Sequence, residues 1–452
     1  MDLSIRKIRG FVKAAVRSMA FLPLPMLFAG ILLGAGIYYL ESHTDASAFL
    51  ESNLPSFVVK SQDTARNVLG LFVAGLMTLM VFTFTQMMSL FNQVANAYSP
   101  RLLPIFTGDR SLQFTMGFYI GTIVLNLMVL LSIKSDEAGE VPNLSVLTAI
   151  LFGIISLMLF IYFVTTISEK IQVGNIINTV YQRGMNYLKE ESSRDAFTER
   201  DFAPDTDRWY TVTSPIDGYL GIVDHPELSK LAKQFNTRFY IGSIKGDFIP
   251  ASFPLLSSER ELDAKEVEKV LRAISPISNE YADWYQPQID LLIDIAQKAM
   301  SPGINDPATA VRAIDRINGL LGHLMHIPNY NFMQDDDGGE VWLARHTFSD
   351  VLADTFSRLR NYSREDAAVT HSLLKSAYSL YAASGGTRYL QKLLDNEALA
   401  LVNDARMYLK NPRDRKALAS QIVKWRRSSR QWLERPNKLQ DSASKKERGI
   451  AL

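Results

Sequence analysis

Residues 141–168 read VPNLSVLTAILFGIISLMLFIYFVTTIS and contain no Asp, Glu, Lys, Arg or His. A bilayer core needs about 20 mostly apolar residues in helical form, so this stretch is long enough to span a membrane. Three more charge-free stretches precede it, at residues 18–40, 67–100 and 111–133. Four such stretches so close together are poorly explained as buried helices of a soluble core. They predict a domain of four transmembrane helices.

The composition of the chain excludes several classes of protein. The 452 residues carry a net charge of +1, 47% of them are hydrophobic, and none is cysteine. The apolar content excludes a disordered chain, and the lack of cysteine excludes a disulfide scaffold, a Cys-ligated metal site and thiol catalysis. Because the net charge is close to zero, we expect no nucleic-acid partner.

The fold class predicted from these patterns is a membrane α-helical part followed by a cytosolic α+β part, with a small β-module ahead of a mainly helical region. Charged residues are sparse before residue 170 and reach an ordinary density after it. We predict a basic arm at 1–17, a transmembrane domain at 18–168 (helices at about 18–40, 68–98, 111–133 and 143–168), a helical extension and linker at 169–207, a β-rich module at 208–260, a mainly helical domain at 261–412 with a hairpin near 329–347, and a basic helix and tail at 413–452.

The distribution of basic residues predicts the orientation of the spans. Lys and Arg are concentrated in the N-terminal arm, whereas the loop from Glu41 to Arg66 and the loop from Lys134 to Glu140 contain more acids than bases. Short loops rich in Lys and Arg stay in the cytoplasm. We therefore expect both termini to be cytoplasmic.

Polar side chains follow one face of the second span. On a helical wheel they occupy about 120° of arc, and we call them the polar stripe. Its members are Thr78, Thr85, Gln86, Ser89, Asn92, Gln93 and Asn96. Two interpretations stay open, namely hydrogen bonding between helices with a hydrated projecting end, and the wall of a water-filled path for ions or small polar solutes.

The segment Ser301-Pro302-Gly303-Ile304-Asn305-Asp306-Pro307 is a distinctive motif of the C-terminal part. Pro and Gly end one helix, and Asp306 with Pro307 is typical of the start of the next. This structural role explains the motif by itself. The functional alternative is a ligand-binding or subunit-contact corner, with Ser301, Asn305 and Asp306 as candidates.

The C-terminal segment from residue 424 is basic and contains two tryptophans seven residues apart. Such a helix can lie on an anionic cytoplasmic leaflet, although a solvated basic end explains the charge equally well. The lipid-surface candidates are Trp425, Arg426, Arg427, Arg430 and Trp432.

Sequence motifs for catalysis and cofactor binding are not found. The chain has no Walker A loop, dinucleotide-binding glycine fingerprint, Gly-x-Ser-x-Gly elbow or kinase set. His323 and His326 have no HExxH-type context, which favours packing or surface roles. We therefore expect no enzyme activity, no cofactor and no metal.

Several stretches resemble a family of bacterial predicted membrane proteins known as domain of unknown function 2254. They are Tyr98-Ser99-Pro100-Arg101-Leu102-Leu103, Asp109-Arg110 with Gln113, Gly117 and Gly121-Thr122, Ile161-Tyr162-Phe163 with Ile171-Gln172, and Asp294-Ile295-Ala296 running into residues 301–307 with Thr309-Ala310. The resemblance implies a bacterial origin, a four-span membrane half and a cytosolic C-terminal half, and hence the cytoplasmic (inner) membrane. It implies no particular chemistry.

Two hypotheses of different classes follow. The first is an oligomeric channel or permease for ions or small solutes, with a cytosolic regulatory domain. The second is a membrane-anchored sensor or scaffold whose cytosolic domain binds a protein or a small ligand. The expected partners are membrane lipids, further copies of the chain, and a small-molecule or protein ligand of the C-terminal part.

Overall fold

The chain divides into two compact units, Met1–Ile176 and Ile177–Leu452, which we call the N-terminal and C-terminal units. The computed structural model describes residues 18–44, 46–53, 55–56, 58–133, 141–192, 198–200, 203–277, 284–327, 330–334 and 339–433. The predicted basic arm at 1–17 and the last part of the predicted tail, 434–452, lie outside the described residues.

The described part of the N-terminal unit is helical. Its helices are α1 (Pro23–His43), α2 (Ala46–Asn53), α3 (Gln62–Ala97), α4 (Leu103–Thr107), α5 (Arg110–Ser132) and α6 (Asn143–Lys170), with a 3-10 turn at Pro100–Leu102. Four of them, α1, α3, α5 and α6, are long and apolar enough to cross a membrane. This confirms the prediction of four candidate spans.

Helix α5 is the central helix of this unit, since it packs against α1, α3 and α6. Asn126 of α5 is fully buried, and its Nδ2 donates to the backbone oxygens of Thr122, at 2.8 Å, and of Ala149 in α6, at 3.4 Å. A buried amide needs such partners, because an unpaired one would cost free energy. The glycines of α1 and α5 allow close approach: a Cβ on Gly30 would stand 2.4 Å from the backbone oxygen of Gly121.

The described part of the C-terminal unit contains two sheets. Its strands are β1 (Thr198–Arg200), β2 (Tyr210–Thr213), β3 (Gly218–Val223), β4 (Phe239–Ile241), β5 (Phe248–Ile249), β6 (Pro254–Ser258), β7 (Ile274–Ile277), β8 (Tyr330–Gln334) and β9 (Glu340–Ala344). One sheet has the order β1-β8-β9-β4-β6-β2 and the other β5-β3-β7. The hairpin β8–β9 therefore shares a sheet with strands from the segment 208–260, because β9 pairs in parallel with β4.

The helices of the C-terminal unit are mostly long and amphipathic. They are α7 (Val173–Ser192), inside which the boundary between the units falls, α8 (His225–Gln234), α9 (Ala264–Ala273), α10 (Tyr285–Ala299), α11 (Pro307–Leu324), α12 (Phe348–Ser363), α13 (Ala367–Ala383), α14 (Arg388–Tyr408) and α15 (Pro412–Leu433). Capping boxes begin α9 at Asp263 and α12 at Thr347, which satisfies backbone donors at both starts. Helix α13 packs against α11, α14 and α15.

Candidate functional site

All seven residues of the polar stripe are exposed on the surface of the N-terminal unit. The hydroxyls of Thr78 and Thr85 donate to the backbone oxygens of Ala74 and Val81, one turn back in the same helix, at 3.0 and 2.9 Å. Such internal bonds satisfy a hydroxyl without any neighbouring helix. Within the described part of the chain, the amides of the stripe make no side-chain hydrogen bond to another span.

The face of α3 that packs inside the unit lies on the other side of the helix. It is formed by apolar residues and one threonine: Ala65, Leu69, Leu76, Thr83, Met87, Leu90, Phe91 and Val94. At 100° per residue, the centre of this buried face and the centre of the polar stripe are about 150° apart. The stripe therefore points away from α5 and α6. Hydrogen bonding to those two helices does not account for it.

The stripe occupies the C-terminal half of α3. At 1.5 Å per residue the helix is about 54 Å long, and the segment from Thr78 to Asn96 covers about 27 Å. A hydrocarbon core of about 30 Å takes roughly 20 residues. If the core begins next to Val68, it includes Thr78, Thr85 and Gln86, and the remaining members extend through the interface beyond it.

A carboxylate clamp fastens the bundle at the end where α1 finishes. The Glu41 carboxylate, just after the apolar part of α1, accepts from the backbone nitrogens of Leu144 and Ser145 at 2.9 and 3.2 Å. It also accepts from the hydroxyls of Ser145 and Ser47. Glu41 thus caps the start of α6 from α1, a helix that is distant from α6 in the sequence. Sequence reasoning missed this role, because the charge also reads as the simple end of an apolar stretch.

An ion pair fastens the opposite end. Asp109 caps α5 by accepting from the backbone nitrogens of Ser111 and Leu112 at 3.0 and 3.2 Å, and Lys170 at the end of α6 contacts the same carboxylate. Partial burial alone would raise the pKa of Asp109, but the hydrogen bonds from Lys170 and Ser111 outweigh it, so the pKa is lowered. The carboxylate is held ionised and ties α5 to α6.

The segment 301–307 forms an exposed corner between α10 and α11. Asn305 has a φ of +48°, a left-handed conformation that asparagine tolerates better than most residues. Asp306 caps α11, because its carboxylate accepts from the nitrogen of Thr309 at 3.1 Å and from its hydroxyl at 2.6 Å. The Ser301 hydroxyl donates to the oxygen of Lys298 at 2.7 Å. These contacts are the structural role foreseen for the motif.

The structure places Trp425 inside the C-terminal unit. Its side chain is 4% exposed and stands edge-on to the rings of Tyr378 and Tyr381, with centroids 5.7 and 5.3 Å away. This departs from the expectation of a lipid-facing indole, because the apolar partner of Trp425 is α13. The side chains of the other candidates, Arg426, Arg427, Arg430 and Trp432, lie outside the described residues.

Comparison with known proteins gives relatives without an assigned activity. The uncharacterised protein Rv1290c of Mycobacterium tuberculosis and the uncharacterised protein Mb1321c of Mycobacterium bovis are each 23% identical over 326 residues, which cover 69% of this chain. The matched region covers 62% of either relative, so the chain spans less than two thirds of their length. No solved structure matches the chain. The family model described as predicted membrane protein DUF2254 matches residues 16–379, which confirms the resemblance, and the chain therefore belongs to that family.

Proposed function

We propose that the protein is a homo-oligomeric channel or permease for ions or small polar solutes, in which the polar stripe of α3 lines the path. We place it in the bacterial cytoplasmic membrane, with both termini in the cytoplasm. Membrane location itself is supported by the family and by the four apolar helices. The oligomer and the path are our proposal.

The observation that carries this proposal is the exposure of the polar stripe on the side of α3 that faces away from the rest of its unit. A surface of a lone bundle meets acyl chains wherever it lies in the membrane core. Polar groups at that depth face a bundle interior or a water-filled cavity. Since the unit's own interior is on the other side of α3, a shared axis between copies is the remaining polar environment.

The free energy of burying unpaired polar groups in the membrane core favours association of copies. Transfer of an amide or hydroxyl from water into an apolar environment without a partner costs about 1–3 kcal/mol by mutational data. Gln86 lies in the core, and helix tilt can bring further amides of the stripe into it. The summed cost of burying these amides without partners then reaches several kcal/mol. Surrounding the stripe with water and other copies removes that cost.

The chemistry of the stripe favours a path without strong charge selectivity. Its members are four carboxamides and three hydroxyls, and none is ionisable. Carboxamides and hydroxyls both donate and accept hydrogen bonds, so they can replace part of the hydration shell of either ion sign. The same groups suit small uncharged polar solutes.

The chain is well suited to a cysteine-accessibility test because it has no cysteine of its own. Single variants Thr85→Cys and Gln86→Cys, both within the core by the span assignment above, are reconstituted in liposomes and treated with a charged, water-soluble thiol reagent. The matched control is Met158→Cys, whose position on α6 is 64% exposed in the isolated chain but is flanked by apolar residues. We expect reagent to modify the two stripe positions and to reduce ion or solute flux, and to leave the control unmodified.

Oxidative cross-linking of the same variants tests the oligomer. If the stripe faces a shared axis, Thr85→Cys forms disulfide-linked dimers, whereas Met158→Cys forms them more slowly. Absence of flux from the wild type, together with equal labelling of stripe and control positions, would overturn the proposal. If the wild type passes no ion or solute but the stripe variants still form disulfide-linked dimers, the second hypothesis, a membrane-anchored sensor or scaffold, would be favoured instead.

A further inference from the structure

A cavity of about 230 Å³ lies between α13 and α15 in the C-terminal unit. Helix α13 contributes His371, Lys375 and Tyr378, and α15 contributes Gln421, Lys424 and Trp425. His371, Lys375 and Tyr378 are three or four positions apart on α13, and Lys424 and Trp425 lie three and four positions after Gln421 on α15, so each set shares one face. We infer that this cavity, which we call the α13–α15 pocket, binds a phosphate group.

The charge of the pocket points to an anion. Two lysines and a histidine surround it, and no carboxylate is among the side chains that line it. The Nε2 atom of Gln421 lies 2.8 Å from Nδ1 of His371, which holds these two side chains together across the helix pair. An ammonium group is a common phosphate ligand that acts as a point charge, and amide and imidazole N–H groups add donors of fixed direction.

The floor of the pocket is built before any ligand arrives. Trp425 is 4% exposed, and its ring is held edge-on by Tyr378 and Tyr381. Aromatic edge-to-face pairs stabilise a contact beyond the effect of their buried area. This packing fixes the backbone of both helices at the pocket, and therefore the positions from which the exposed side chains of His371, Lys375 and Lys424 extend. A preorganised site loses less entropy on binding.

The size of the pocket limits the ligand. Sites for drug-sized molecules enclose about 300–1,000 Å³, so a cavity of about 230 Å³ is suited to a phosphate with little attached to it. A dissolved phosphate compound and the headgroup of an anionic lipid share this chemistry. This inference goes beyond the proposed channel and does not depend on it, since every residue of the pocket belongs to the C-terminal unit.

The test uses the full chain in phosphatidylcholine nanodiscs, with inorganic phosphate as the titrant in a calorimeter. We expect saturable binding by the wild type. Lys375→Gln is expected to raise the Kd by about tenfold or more, because it removes one charge-assisted contact. The matched control is Lys416→Gln, an exposed lysine of α15 outside the pocket, for which we expect a change of less than about twofold.

Two results would overturn the inference. One is the absence of saturable binding up to about 10 mM phosphate. The other is an equal effect of the two substitutions, which would mean that general surface charge attracts the anion. Repeating the titration in nanodiscs that contain phosphatidylglycerol identifies the source: a higher apparent Kd for phosphate means that a lipid headgroup competes for the pocket, and an unchanged Kd favours a dissolved phosphate compound.

Discussion

Replacement of Gly30 by alanine should separate the first and third candidate spans. Gly30 of α1 faces Gly121 of α5, and a Cβ at this position would stand 2.4 Å from the Gly121 oxygen. Ordinary contact begins at 3.4 Å, so the helices must move apart by about 1 Å. The neighbouring atom is backbone and cannot rotate away. The α1–α5 contact is the most extensive between helices of this unit, so the shift affects many atoms.

The size of the effect follows from two opposing contributions. Overpacking a tight contact costs about 1–3 kcal/mol, and the upper end applies where backbone is struck. Alanine is a better helix former than glycine by about 1 kcal/mol, which offsets part of this cost. The net destabilisation of Gly30→Ala is then about 2 kcal/mol. For a unit of this size, it corresponds to a drop of roughly 4–8 °C in Tm.

Gly36→Ala is a matched control on the same helix. A Cβ at Gly36 meets nothing within 4 Å, so only the gain in helix propensity remains, and we expect a rise of a few degrees at most. The assay follows helical circular dichroism and tryptophan fluorescence together during thermal melting in detergent. Both units contain helices, but all five tryptophans lie in the C-terminal unit, so a loss of helical signal without a change in fluorescence reports on the spans. If Gly30→Ala melts at or above the wild-type temperature, or if both variants shift together, the assignment of the α1–α5 contact is wrong.

Three further predictions concern caps and ion pairs. Glu41→Ala removes the cap of α6, and we expect about 2–3 kcal/mol of destabilisation in the same melt; an unchanged Tm would contradict the clamp. Asp306→Ala should cost about 1 kcal/mol and Asp306→Ser much less, measured by tryptophan fluorescence during urea unfolding, and equal losses would argue against capping. Because the pKa of Asp109 is lowered in the folded chain, its contribution is complete above its unfolded pKa of about 3.9 and is lost as the pH falls through the folded value. The Tm of the N-terminal unit should therefore fall in acid, and Asp109→Asn should reduce that fall; an identical pH profile would refute the role of the Lys170 pair.

The candidate spans were predictable because the membrane imposes a length and an absence of charge. The third and fourth stretches, predicted at 111–133 and 143–168, correspond to α5 at Arg110–Ser132 and α6 at Asn143–Lys170. Helix α3 begins at Gln62, several residues before the apolar stretch. A charged residue marks the end of an apolar, membrane-compatible stretch, but it does not end a helix. Asp63 and Arg66 therefore belong to α3 although they precede its apolar stretch.

The six-stranded sheet was not predictable in the same way. Strands β4 and β9 are about 100 residues apart and pair in parallel, and no local pattern encodes which distant strand is the partner. The same limit applies to α13 and α15. The sequence places His371 and Lys375 on one face, and Gln421, Lys424 and Trp425 on another, but only the tertiary fold brings the two faces together. The seven-residue spacing of Trp425 and Trp432 likewise fits lipid or protein as the apolar partner.

The partner that covers the polar stripe is restricted by the sequence and by the structure in different ways. Helical periodicity places Thr78, Gln86, Gln93 and their neighbours on one face, but periodicity alone allows that face to pack against another span of the same chain. The structure excludes α5 and α6 as that partner, since both contact the opposite side of α3. What covers the stripe must then come from outside the described N-terminal unit. Bulk water can hydrate the stripe only where it lies beyond the membrane core. Gln86 lies within the core if the span begins next to Val68. The second copy that we propose, with water between the two stripes, satisfies both conditions.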